Sequence, residues 1–108
     1  MVLVRSIIRP EKVENVLKGV SKAGFNAVTK MDVYGRGKQK GLQIGSVFYD
    51  ELPKDMLLMV VEEEKKDELI EVIMNAARTG ENGNSGDGRI FVTPVTEAYT
   101  ISTKLKGL

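Results

Sequence analysis

The order strand, helix, strand is written twice in these 108 residues, and that repeat constrains the fold more than any other feature. In the first copy, Val2-Leu3-Val4 and Ile7-Ile8 bracket Arg5-Ser6 and read as a β-strand. Pro10 suits a first helical position, where its missing N–H is not needed, and Glu11 complements the helix dipole. Val13, Val16, Leu17 and Val20 then form one apolar helix stripe, and Gly24 is placed as the residue just past the helix end. Phe25 to Tyr34 reads as a second strand, with Ala27, Thr29, Met31 and Val33 alternating with polar neighbours and Val28 breaking the pattern.

The second copy opens on Met56 to Val61, a continuous apolar strand of the kind found inside a sheet. Glu62-Glu63-Glu64 starts a helix whose buried stripe is Leu69, Ile70, Ile73, Met74 and Ala77, stopped by Gly80. Ile90-Phe91-Val92 is the last core strand, ended by Pro94, and Glu97 to Leu108 reads as a short strand or loop. Between the copies, residues 42–51 show no sustained period and read as a loop, partly hairpin-like, closed by Leu52-Pro53.

Two right-handed β-α-β crossovers in one sheet predict an α+β, ferredoxin-like β-α-β-β-α-β sandwich, with an antiparallel four-stranded sheet and both helices on one face. The length fits a single domain over residues 1–108. Met56, Leu58 and Val60 face opposite to Leu57, Met59 and Val61, yet both sets are apolar. Two helices cover only one set, so the second face predicts burial in an oligomer.

Sixteen basic and fifteen acidic residues nearly cancel, which argues against a bulk electrostatic nucleic-acid binder. Cysteine and histidine are both absent, so thiol and imidazole nucleophile–base chemistry is excluded and a bound metal would need oxygen ligands. Tyr34, Tyr49 and Tyr99 form no stacking ladder. The apolar run Met56 to Val61 is far too short to span a bilayer, and Met1-Val2-Leu3-Val4-Arg5 lacks a signal peptide's apolar region, so the expected location is cytoplasmic, without membrane insertion.

Two glycine-rich segments carry the candidate chemistry. Gly35-Arg36-Gly37-Lys38-Gln39-Lys40-Gly41 reads either as an anion cradle at a strand end or as a basic loop tip. Thr79-Gly80 with Gly86-Asp87-Gly88-Arg89 reads either as a second cradle or as a helix stop followed by a turn. Lys54 reads as a carboxylate partner or a solvated strand-end lysine, and Gln39 as an oxygen ligand or a surface amide. On the repeat, the two segments belong to separate β-α-β units and would meet only between packed chains.

In this order, Ile7-Ile8-Arg9-Pro10, the 35–41 segment, Leu52-Pro53-Lys54 and Thr79-Gly80 followed by Gly86 to Val92 resemble the PII signal-transduction family over residues 1 to about 103. The resemblance implies a trimeric, ferredoxin-like, non-catalytic sensor of nitrogen and energy status. It implies a T-loop at about 37–53, a B-loop at about 80–89 and a C-terminal segment at 96–108. ATP or ADP would be bound by Thr29, Gly37, Lys38, Gln39, Val60, Thr79, Gly86, Asp87, Gly88 and Arg89, with Thr29 and Val60 beside the adenine. 2-Oxoglutarate would be bound by Gln39, Lys40, Gly41 and Lys54, with Mg2+ on Gln39. Residues 31–41 and 49–54 are most similar to the archaeal nitrogen-fixation branch, which implies direct regulation of dinitrogenase together with a second PII-like subunit. The alternative target is an ammonium transporter, whose pore calls for a longer loop.

The pattern is departed from at three places. Only ten residues separate Gly41 from Leu52, a short T-loop without a clear counterpart of the family's modified tyrosine. Glu81-Asn82-Gly83-Asn84-Ser85 separates Gly80 from Gly86, where the family has two residues. Thr100 and Ser102 stand where the family places two phosphate-binding arginines, which predicts weakened nucleotide binding.

Overall fold

The computed structural model describes residues 1–36 and 51–108, together with the backbone of two short strands between them. Its core is one sheet of four strands: β1 (Val2–Ile8), β2 (Thr29–Gly35), β5 (Leu52–Val61) and β6 (Gly88–Pro94). They lie in the order β2-β5-β1-β6, and every neighbouring pair is antiparallel. Helices α1 (Val13–Lys22) and α2 (Lys66–Ala77) provide the two crossovers. This is the ferredoxin-like α+β arrangement that the repeat predicts.

The two copies agree in backbone detail. Each strand is followed by an extended residue, Arg9 (φ −65°, ψ 138°) or Glu62 (φ −68°, ψ 150°). Each then makes one turn of 3-10 helix, Pro10–Lys12 or Glu63–Lys65, before the α-helix proper. The α-helices therefore begin later than their first acidic residues suggest. Pro10 holds Arg9 extended, as a residue preceding proline is.

Alternation along β1 divides the sheet's faces. Val2, Val4, Ser6 and Ile8 are buried beneath the helices, whereas Leu3, Arg5 and Ile7 are half-buried on the other face. Asp55, Leu57 and Met59 of β5 follow the first set, and Met56, Leu58 and Val60 the second. Val13, Val16 and Val20 of α1 meet Leu69, Ile73 and Ala77 of α2 over the first face. Val4, Val16, Leu57, Leu69 and Ile73 retain 0% exposure, and each such side chain contributes about 1.5–3 kcal/mol by leaving water.

Several boundaries differ from those predicted. The second strand begins at Thr29, not Phe25; Phe25 and Val28 instead pack on the core from the preceding loop. Leu52 and Pro53 do not close a loop but begin β5, paired with Gly35 and Tyr34. Within 42–51, β3 (Leu42–Ile44) and β4 (Val47–Tyr49) pair as a hairpin. Helix α2 ends at Ala77 because Arg78 is extended (ψ 145°), three residues before Gly80. Met74 is 43% exposed rather than part of the buried stripe. The tail forms a hairpin of β7 (Tyr99–Thr100) and β8 (Leu105–Lys106).

One carboxylate is buried at the start of β5, beside the helix-face core. Asp55 is 5% exposed on the helix face of β5, directly opposite Asp32 of β2. Lys30 Nζ bridges both carboxylates, at 2.8 Å from Asp32 and 3.1 Å from Asp55. The hydrogen bond from Lys30 holds the Asp32 carboxyl below its ordinary range. This bridge ties together β2 and β5.

Candidate functional site

The site end of the sheet is where β1 finishes and β5 and β6 begin, since Ile8 pairs with both Asp55 and Gly88. Here residues 79–88, which include most of the segment expected as the B-loop at about 80–89, are folded around one carboxylate. Asp87 Oδ1 accepts from Thr79 Oγ1 at 2.6 Å and from Arg9 Nε at 3.0 Å. Asp87 Oδ2 accepts from the backbone N–H of Asn84 at 2.8 Å and of Thr79 at 3.1 Å. Burial alone would raise this carboxyl, but the Thr79 hydroxyl, the Asn84 and Thr79 amides and the Arg9 guanidinium outweigh it and hold it far below the carboxylate range.

The lengthened stretch of the B-loop, residues 81–85, belongs to this construction. The Asn84 side-chain amide donates to the Thr79 hydroxyl at 2.8 Å and to the Thr79 carbonyl at 3.2 Å. The Asp87 N–H returns to the Asn84 carbonyl at 3.1 Å. Arg9 Nη2 donates to the Ser85 carbonyl at 3.0 Å.

Glycine is required at two points. A Cβ on Gly88 (φ +122°) would stand 1.8 Å from the Ile7 carbonyl oxygen, so no side chain fits where β6 leaves the loop. Gly86 has φ +94°, and a Cβ there would meet the Arg9 guanidinium at 3.1 Å. Both are positions where L side chains are strained.

Lys54, at the start of β5, reaches the same loop: its Nζ donates to the Gly86 carbonyl at 2.6 Å. Burial, then the nearby charge of Arg9, lowers the Lys54 pKa, while Glu11 and Asp87 oppose the shift. An added anion beside Lys54 would relieve this pressure on its charged form. Arg9, Lys54 and Arg89 thus bring three cations to one end of the sheet beside a loop of positive-φ glycines. Such an arrangement recognises phosphate or carboxylate.

The structure brings together Thr79, Gly86, Asp87, Gly88, Arg89 and Lys54 within one chain. It does not bring Thr29 and Val60 to them. Val60 lies six residues along β5 from Lys54, about 20 Å at strand rise. Thr29 starts β2, opposite Leu58. Gly35 ends at the site end of the sheet but on the edge opposite β6, three strand spacings or about 14 Å away. Within one chain the two groups therefore lie well apart. Gly37, Lys38, Gln39, Lys40 and Gly41 lie outside the described residues.

Arg9, Asn84 and Ser85 take part in the site without having been singled out for it. The signal for Asn84 is the Asn82-Gly83-Asn84 run, whose residue types favour Asx-type turns. Thr100, at an expected arginine position, donates instead to the Gly107 carbonyl at 3.0 Å and closes the tail hairpin. Ser102 is exposed in that hairpin's turn.

The fold and this site define a small ferredoxin-like domain with a glycine-rich loop ordered around Asp87 and met by Lys54 at one end of its sheet. The family model "Nitrogen regulatory protein P-II" matches residues 1–105, and the chain belongs to that family. Its members are regulatory signal-transduction proteins rather than enzymes. The chain is 56% identical to the "Nitrogen fixation nifHD1 region GlnB-like protein 1" of Methanosarcina barkeri. It is 55% identical to the corresponding nifHD-region protein of Methanobacterium ivanovii and 50% identical to that of Methanococcus maripaludis. Each match covers 100% of both chains. Among the described residues no helix is long and apolar enough to cross a membrane.

Proposed function

We propose that this PII-family regulator is a cytoplasmic, trimer-based sensor that acts on nitrogenase. It binds ATP or ADP between chains, takes up 2-oxoglutarate beside Mg-ATP, and contacts dinitrogenase through its T-loop, together with a second PII-like subunit. The observation that carries the reading is the 2.6 Å contact from Lys54 to the Gly86 carbonyl. It joins the return strand of the T-loop to the B-loop. The nifHD-region names of the relatives point to nitrogen fixation as the regulated process.

The donor set fits the proposed ligands. Arg89 and the glycine turns of 86–88 would meet phosphate oxygens, and Gln39 offers an amide oxygen to magnesium, which prefers oxygen ligands and retains phosphate contacts. Bound Mg-ATP would add charge that holds an anionic co-effector. A 2-oxoglutarate carboxylate would draw Lys54 Nζ from the Gly86 carbonyl and so alter the connection between the T-loop's base and the B-loop. The shift this produces is set by the ligand's difference in affinity for the two arrangements. The separation of Thr29 and Val60 from the B-loop supports a nucleotide shared between chains.

Dinitrogenase pull-down with and without 2-oxoglutarate and Mg-ATP tests the reading. Capture without effectors and release with both is expected; capture indifferent to both would sink it.

A further inference from the structure

Arg5 occupies the middle of β1, on the sheet face turned away from the helices. In register it lies between Phe91 of β6 and Leu58 of β5, with Leu3 and Ile7 before and after it on the same face. A groove of about 340 Å³ runs past it, lined by Arg5, Ile7, Met56, Phe91 and Thr93. The guanidinium Nε is already shut off from water by its own chain, and it has no hydrogen-bond partner among the described residues.

The surrounding charges make this position unusual. Arg5, Lys54 and Arg89 are the cations that the four strands place on this face, and none of the strand residues alternating onto it is acidic. Asp32 and Asp55 both fall on the helix face. Lys54 is engaged by Gly86 at the sheet's end. Arg5 alone is set among apolar side chains at the centre.

An apolar face of this extent is covered by a partner in the working protein. Covering it removes the remaining water from Arg5, and a buried cation without a counter-charge is strongly unfavourable. A second copy of this face brings more arginine and no strand carboxylate. We propose that Arg5 binds a small inorganic oxyanion of the phosphate or sulfate class, enclosed between chains at this face. The proposal rests on the oligomeric reading above. A guanidinium fork matches two oxygens of such an anion. The groove has room for it with a few waters, each occupying about 30 Å³.

Sedimentation velocity over a dilution series, in chloride, sulfate and phosphate at equal ionic strength, tests the proposal. The wild-type chain is expected to assemble at about tenfold or more lower concentration in sulfate and phosphate than in chloride, the effect of one charge-assisted hydrogen bond. Arg5→Met is expected to assemble equally in all three salts, and at least as tightly as wild type in chloride. Arg5→Lys, which keeps the charge but loses the fork, is expected to show an intermediate response. An equal anion response in wild type and Arg5→Met overturns the proposal, because the effect then belongs to other cations or to salting. Assembly of the wild type without any anion response overturns it while leaving the oligomeric reading intact. A monomer in every salt overturns both. Assembly that requires a different PII-like chain, with no anion response, overturns it as well, since the counter-charge then comes from protein.

Discussion

Replacing Asp87 by asparagine removes the charge around which the B-loop is folded. The carboxylate accepts four hydrogen bonds, from Thr79 Oγ1, Arg9 Nε and the Thr79 and Asn84 amides. An asparagine keeps one accepting oxygen and turns an NH2 toward donors on the other side. Arg9, whose side chain is 27% exposed, loses its ion partner. A hydrogen bond to a charged group contributes about 1.5–3 kcal/mol, and losing a buried partner exacts the larger share. With Asp87 itself 16% exposed, a total loss of about 3 kcal/mol is expected, or roughly 10–20 °C in Tm if the loop melts with the domain. Hydrogen exchange at the Thr79 and Asn84 amides resolves whether the loss is local. Acid provides an internal control. The Asp87 carboxyl is depressed in the folded chain, so its stabilisation is fully present above the unfolded value near ~4 and is lost as pH falls from there toward the much lower folded value. Wild-type protection at these amides should therefore decline below about pH 4, whereas Asp87→Asn should lack that step. Unchanged Tm and unchanged exchange at both amides in Asp87→Asn would refute the reasoning.

Further outcomes follow from the same geometry. Gly88→Ala places a methyl 1.8 Å from the Ile7 carbonyl oxygen, so urea melts should show a loss of about 2 kcal/mol or more through strain where β1 meets β6; a loss under half that would contradict the fit. Leu58→Lys, half-buried on the face away from the helices and paired in register with Arg5, should weaken assembly in sedimentation in chloride by adding a second uncompensated cation, while leaving the circular dichroism of the chain unchanged. Thr100→Arg restores a cation at a position now donating to the Gly107 carbonyl, and calorimetry should show about tenfold tighter ATP binding; no gain would mean that the tail does not approach the phosphates.

The repeat made the architecture legible because each copy carries its own periodicity. Val2, Val4 and Ile8 alternate, and Val13, Val16 and Val20 recur on one helix face, so local pattern and global packing agree there. Legibility failed where tertiary context overrode pattern. The start of β5 was hidden because Leu52-Pro53 read as the close of a loop; Asp55, a charged residue on the helix face, is bridged there by Lys30 of another strand. Phe25 and Val28 carry strand-like residues but serve the core from a loop. The glycines of the B-loop were visible, and Gly88 proves to be required by backbone contact. The network that holds the loop was not, since Arg9 and Asp87 are 78 positions apart and nothing in the spacing pairs them. The longer 81–85 stretch was visible only as a departure from the family pattern, yet Asn84 supplies an amide to Asp87 and a side-chain lock on Thr79.

In the proposed function, Lys54 answers an effector carboxylate next to the B-loop. Titration calorimetry of 2-oxoglutarate into the wild-type chain and Lys54→Met, each with and without Mg-ATP, tests it most directly. Binding by the wild type should depend on Mg-ATP, and Lys54→Met should lose at least tenfold while ATP still binds, as expected for one charge-assisted pair. Equal 2-oxoglutarate binding by the two chains, or none by the wild type with Mg-ATP present, would contradict it.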